Sequence, residues 1–255
     1  MKKLLTAAAV AVLLFQASAC QRDKVECDAN GDFDWGYSYT NGPELWGQCY
    51  EDCNGKKQSP INIETSKTES NSSLSALQID YRATPVHILN NGHAVELEYE
   101  EGSTLLWDGE SYTLKQAHFH AGSEHSIDDE FADSEIHLVH KTEAGGIAVI
   151  GVMIEEGAEN PFFARFFDNL PTIEGEHYES EADTLNILDM LPANRAYYTY
   201  EGSLTTPKCT EGVRWIVLQT PITASAAQIE KLNAILHVTH RPVQKLNRRK
   251  VQKFD

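Results

Sequence analysis

The sequence lacks any surplus of positive charge: 21 Lys and Arg stand against 38 Asp and Glu, a formal net charge of −17. That balance excludes a nucleic-acid binder, whose contact surface would be basic. It reads as an acidic, solvated surface and not as the imprint of a partner. The local exception is Arg241 to Asp255, which holds six Lys or Arg residues and reads as a solvated basic edge on an acidic domain. The chain also lacks an apolar stretch long enough to stay in a bilayer. Leu4 to Phe15 is nearly unbroken, but a spanning helix needs about 20 such residues. From Asp34 onward there is no Pro/Gly/Ser-rich linker, no low-complexity tract and no repeat. One domain running to the C-terminus is the economical organisation, and 255 residues are enough to bury a substantial core.

The N-terminus is the first positive signal. Lys2 and Lys3 precede the apolar run, and the small residues Ala17-Ser18-Ala19 lead to Cys20, the pattern of a secretory signal over residues 1–20. Export follows, with a periplasmic or membrane-anchored location in a bacterium. Ala17-Ser18-Ala19-Cys20 also resembles a bacterial lipoprotein cleavage site, which makes Cys20 a candidate for lipidation and a lipid anchor. Ala17 departs from the usual leucine, and ordinary cleavage nearby is the alternative. Residues 21–32 are polar and read as a flexible tether, with the folded domain over 33–255. Five cysteines are present: Cys20, Cys27, Cys49, Cys53 and Cys209. An odd count in an exported chain asks for a special role for one of them. The other four can form two disulfides in an oxidising compartment.

Strand signals dominate the rest. Val86 to Tyr99, Tyr112 to Ala121, Glu135 to His140, Ile147 to Ile154 and Val213 to Gln219 are alternating or apolar. Asn90-Asn91-Gly92 and Asp108-Gly109 mark turns. Helical pattern is scarce. Ala226 to Leu236 carries a capping-box spacing, Ser225 with Gln228 three residues on. Asn160-Pro161 suits a helix start. The expectation is a mainly antiparallel β domain with a few peripheral helices.

The chemistry concentrates in "QAHFHAGSEH" and "SEIHLVH". On a strand, residues i and i+2 share a face, so His118 and His120 project together. A second strand supplies His137. Three imidazoles leave the fourth corner of a tetrahedral zinc for water, the layout of a catalytic zinc and not a structural one. Metal-bound imidazoles pass their other N–H to an oxygen; Gln116 shares the face of His118, and Glu135 shares that of His137. His-x-His alone is common, and His87, His125, His140, His177, His237 and His240 have no evident metal role.

Longer strings narrow the reading. "WGYSYTNGPELW", "KQSPINI", "NNGHAVELE", "HFHAGSEH", "EIHLVH", "YTYEGSLTTPKCTEGVRW" and "RPVQKLNRR" together resemble the alpha carbonic anhydrases, over nearly the whole chain after the signal. The resemblance implies a large twisted, mostly antiparallel central sheet with zinc at the base of a conical cleft. It implies reversible hydration of carbon dioxide to bicarbonate and a proton, by attack of zinc-bound hydroxide, with His118, His120 and His137 as ligands. Thr205 would accept the proton of that hydroxide and donate its own to Glu124. Thr206, Tyr37, Asn91 and Gln116 would form a wet wall of the cleft; Val139, Val149, Leu204, Val213 and Trp215 would form a dry wall for carbon dioxide. His93 matches the family's proton shuttle. The same resemblance joins Cys53 to Cys209 and leaves Cys27 with Cys49 as a second pair. Anions and sulfonamides would inhibit, and a homodimer is a candidate assembly. A binding module of this family typically lacks one or more zinc histidines, and a zinc store would show His-rich tracts; neither applies.

The sequence departs from the family pattern in three places. Ala121 stands where many animal members have tryptophan, and Lys208 replaces a proline common after "TTP". Glu96 occupies a cleft-wall position usually held by an amide, where a carboxylate would bear on anion entry or on the water chain to His93.

Overall fold

The computed structural model describes residues 24–167, 169–236 and 239–255. The secretory signal and Cys20 lie outside them. Ten strands and two helices position the site. They are β1 (Thr84–Asn90), β2 (Val95–Glu98), β3 (Thr104–Trp107), β4 (Glu110–Ala121), β5 (Ser134–Lys141), β6 (Ile147–Glu156), β7 (His177–Leu185), β8 (Tyr197–Ser203), β9 (Glu211–Leu218) and β10 (Gln252–Phe254), with α1 (Pro161–Phe167) and α2 (Ala226–Leu236). The main sheet runs β7-β1-β2-β4-β5-β6-β9-β8-β10. Pairing along it is antiparallel except between β6 and β9, which lie parallel. The result is a large mixed sheet that is mostly antiparallel.

The core explains why the middle strands hold the centre. Ile147 to Ile154 is apolar on both faces, as befits a strand covered on both sides, and Ala148 to Ile154 are buried. One face of the sheet packs Val95, Leu97, Ala117, Phe119, Ile136, Leu138, Ile150 and Val152 against the four phenylalanines of α1 and Leu232 and Leu236 of α2. Phe119 meets Phe163 and Phe166 with ring centroids 5.7 and 5.0 Å apart. The other face carries a second apolar cluster, around Val149, Tyr200, Val213 and Trp215.

Local signals account for the element ends. Asp108 and Gly109, with φ of 53° and 80°, make the two-residue turn between β3 and β4, where both positions need positive φ. Ser225 N–H donates to Gln228 Oε1 at 3.0 Å, and Gln228 N–H returns to Ser225 Oγ at 3.3 Å, a reciprocal cap on α2. The stretch 86–99, read as one strand, is two. Asn91 Oδ1 accepts from the N–H groups of His93 and Ala94 at 2.9 and 2.8 Å and turns the chain there.

Three expectations need correction. The proposed tether is fastened from residue 25 on: Val25 N–H reaches Gln48 Oε1 at 3.2 Å, and a disulfide joins Cys27 to Cys49. The second disulfide joins Cys53 to Cys209. The basic C-terminal edge loses its first member, because Arg241 is only 3% exposed. Its guanidinium donates to Gln58 Oε1, Ser59 O and Cys53 O at 2.8, 2.9 and 3.2 Å. Strands β7 and β8 were also absent from the sequence reading. β7 is an exposed, charged edge without apolar alternation, and β8 is polar and aromatic.

Candidate metal centre and cleft

β4 and β5 pair antiparallel with His137 opposite His118 and Glu135 opposite His120. Alternation sends Ala117 and Phe119 into the core and Gln116, His118 and His120 to the other face. The two strands therefore bring three imidazoles together, with ring centroids 5.1, 5.2 and 4.5 Å apart. One potential ligand atom from each lies within 4.8 Å of the other two.

The outward nitrogens decide which inner ones are free. His118 Nδ1 lies 2.8 Å from Gln116 Oε1, and His120 Nδ1 lies 2.7 Å from the carbonyl of Thr239. These oxygens accept, so both Nδ1 atoms carry the proton. His137 Nε2 lies 3.0 Å from Glu135 Oε1, near enough for the carboxylate to favour the proton on Nε2, although out of line for a full hydrogen bond. Lone pairs on Nε2, Nε2 and Nδ1 then face inward. His120 Nε2 and His137 Nδ1 are 3.1 Å apart. Two lone pairs converging so closely repel unless a cation lies between them. Zn–N bonds of about 2.0–2.1 Å at a tetrahedral angle would place them roughly 3.3 Å apart. The donor set thus fits zinc with a fourth position open.

Burial holds all three rings neutral. It pushes His118 well below the ordinary histidine value and also lowers His137, with the neighbouring imidazoles adding to it. His120 falls to about 4 for the same first reason. Neutral imidazole is the ligating form.

Beneath the histidines lies a network that sequence reasoning reached only in part. Glu135 Oε2 accepts from the N–H groups of Glu124 and His125, both at 2.9 Å. Glu135 Oε1 lies 2.8 Å from His125 Nδ1. Burial alone would raise the Glu135 pKa, but His125 and His137 outweigh it and hold the carboxyl well below the usual range. His125 Nε2 is 2.7 Å from Tyr200 OH, itself 2.9 Å from Ser59 Oγ. A Cβ on Gly151 would meet Glu135 Oε1 at 2.6 Å, so only glycine leaves this carboxylate its place. Glu124 Oε1 accepts from Arg241 N–H at 2.9 Å. Its Oε2 faces His120 Nε2 at 3.4 Å and His137 Nδ1 at 3.8 Å. Burial raises Glu124, against His137, the Arg241 N–H and the Thr205 hydroxyl, which lower it. His125, Tyr200, Arg241, Gly151 and Thr239 were missed. His125 had a signal, standing next to Glu124 in "GSEH"; a single arginine or carbonyl in a C-terminal loop has none.

The remaining candidates fall in the second apolar cluster or in loops. Val149, Val213 and Trp215 are buried in the second apolar cluster, with Val139 and Leu204 half-buried against it. Val139 lies opposite both Gln116 and Val149 in register. Thr205 and Thr206 precede Cys209, so the second disulfide ties their loop to Cys53. Tyr37 packs on Trp35 and Trp46, and its buried hydroxyl has no hydrogen-bond partner among the described residues. Asn91 holds the turn that carries His93. The His93 ring stacks on Trp35, centroids 3.7 Å apart and planes at 13°. Burial lowers its pKa against the raising fields of Glu174 and Asp34.

Comparison with known proteins completes the picture. The family model for eukaryotic-type carbonic anhydrase matches residues 41–255. A carbonic anhydrase of Nostoc sp. is 40% identical over 223 residues, covering 85% of this chain and 84% of its own. Among solved structures, an alpha carbonic anhydrase from Thermovibrio ammonificans, in complex with the inhibitor sulfanilamide, has a TM-score of 0.84 at 38% identity, with 87% of this chain and 99% of the other covered. A hyperthermostable carbonic anhydrase from a hydrothermal vent chimney gives 0.83 at 41%, covering 87% and 100%.

Proposed function

This chain belongs to the eukaryotic-type, or alpha, carbonic anhydrase family, and from that membership we propose that it hydrates carbon dioxide reversibly at a zinc ion held by His118, His120 and His137. The observation that carries the reading is the convergence of three imidazoles, two of them with outer nitrogens hydrogen-bonded to oxygens and the third with its outer nitrogen 3.0 Å from the Glu135 carboxylate. Zinc, when bound, supplies Lewis acidity and lowers the pKa of a coordinated water to about 7, a value known for carbonic anhydrase and not obtained from these residues.

The chain's own groups do the rest. Thr205 would accept a hydrogen bond from the attacking oxygen and donate its own hydroxyl hydrogen in a hydrogen bond to Glu124, which would orient a lone pair toward the substrate carbon. Among the described residues the Glu124 side chain accepts one backbone hydrogen bond, from Arg241 N–H. Val139, Val149, Leu204, Val213 and Trp215 offer an apolar wall where carbon dioxide lies without competing for hydrogen bonds. Thr206, Tyr37, Asn91 and Gln116 line the wet side. A water with pKa about 7 loses its proton to bulk water at no more than roughly 10^3 per second, given a diffusional ceiling of about 10^10 per molar per second. His93 would carry that proton faster, since an unperturbed imidazole titrates near neutrality, with burial lowering this one. Primary sulfonamides of the kind bound by the Thermovibrio relative would inhibit, and a homodimer is the expected assembly. The two disulfides support export to an oxidising compartment. Cleavage after the signal and lipidation of Cys20 complete the proposal.

Stopped-flow hydration of carbon dioxide by the purified mature domain, with and without a zinc chelator, tests this reading. Fast hydration abolished by chelation supports it. A folded, zinc-loaded protein that hydrates no carbon dioxide would sink it.

A further inference from the structure

β2 gives its two faces opposite characters. Val95 and Leu97 are fully buried in the core, at 0% and 1% exposure. Glu96 and Glu98 face the other way. In register, Glu96 lies opposite His118 and Glu98 opposite Gln116, so both carboxylates stand on the face of the sheet that carries the three histidines. Glu98 is exposed, but Glu96 is half-buried.

A half-buried carboxylate normally has a partner, because removing the ion from water is costly unless hydrogen bonds or an opposite charge replace the solvent. Glu96 has neither among the described residues, and its carboxylate oxygens keep contact with solvent. The charge that registers on it is Glu98, of the same sign, and with burial it raises the Glu96 pKa. The core contacts of β2 are made by Val95 and Leu97. A half-buried carboxylate without a protein partner among the described residues, one strand away from His118, points to a task at the site.

Resting on the proposed function above, we infer that Glu96 is a specificity-determining residue that weakens the binding of anions at the metal end of the cleft. Carbon dioxide is neutral and does not feel the carboxylate. Bicarbonate, thiocyanate, azide and similar small anions carry like charge and are repelled. Two like charges one or two strand spacings apart, at an effective dielectric of about 20, repel enough to change an anion's dissociation constant about tenfold.

The test uses the cobalt-substituted mature protein, whose visible spectrum responds when an anion reaches the metal, titrated with thiocyanate above pH 8. Glu96→Gln is expected to bind thiocyanate about tenfold more tightly than the parent, and Glu96→Asp to stay near the parent value. The gap between Glu96→Gln and the parent should narrow as salt rises from 10 mM to 0.5 M, because screening removes a charge effect but not a change of shape. In dehydration, Glu96→Gln should also lower the KM for bicarbonate. Equal thiocyanate affinity in the parent and Glu96→Gln, or a gap insensitive to salt, would overturn the inference and leave the metal reading standing. A cobalt protein whose spectrum ignores thiocyanate in every variant would overturn the three-histidine reading, and the inference with it.

Discussion

The two faces of β4 and β5 are made from alternate residues of the same strands, yet they are held by different physics. On one face Phe119, Ala117, Ile136 and Leu138 pack against α1 and α2, and stability scales with area and shape. On the other, His118, His120, Glu135 and His137 sit beside Glu124 and His125, and nearly every one is buried. There the requirement is that each polar atom finds its partner. The comparison teaches that one residue step along a strand moves a side chain from a place where volume matters to a place where hydrogen-bond direction matters.

Neighbouring substitutions should therefore separate cleanly. His120→Ala removes a ligand and is expected to weaken zinc binding by about 10^3-fold or more, roughly one third of the 10–16 kcal/mol typical of a structural zinc site; chelator competition measures it. Phe119→Ala, one residue away, is expected to cost about 3–5 kcal/mol in urea unfolding while the folded fraction binds zinc within a few-fold of the parent. If the two variants exchanged these effects, the division between the faces would be wrong.

Acid should expose the polar face next. His120, and His140 beside Tyr81, are both lowered to about 4 by burial from an ordinary value of 6.5. Between those values the unfolded chain binds protons that the folded chain does not, so folding stability falls as pH drops from 6.5 toward 4. By pH 5 each should have removed about 2 kcal/mol from the metal-free protein, read as a falling urea midpoint. Zinc should oppose the part due to His120.

Smaller changes sharpen the same contrast. Glu135→Gln keeps the shape but removes the charge that orients His137, and a 10- to 100-fold loss of zinc affinity is expected. Gly151→Ala should shift that carboxylate, because the new methyl would stand 2.6 Å from its Oε1. About a tenfold loss of zinc affinity is expected there, measured by the same competition.

How far the sequence alone reached follows the same line. Alternation or a continuous apolar run found β4, β5, β6 and β9 because each buries at least one face and so leaves an apolar trace. It missed β7, an edge strand whose charged residues face water. His118, His120 and His137 were legible because their spacing states a face. Gln116 and Glu135 were legible for the same reason, being two residues away on that face. His125, Arg241 and Gly151 were not, because each reaches the site through a loop or across a strand pair, and no period in the sequence links them to it. Arg241 misled most: in a run of basic residues it reads as surface, while its guanidinium fills a cage of Gln58, Ser59 and Cys53 oxygens.

Whether three histidines hold one catalytic zinc is decided by titrating zinc into the chelated protein while following carbon dioxide hydration. Activity is expected to rise linearly and to break at one equivalent per chain, with His120→Ala flat over the same range. Activity that ignores added zinc, or that breaks at a different stoichiometry, would contradict a three-histidine zinc site.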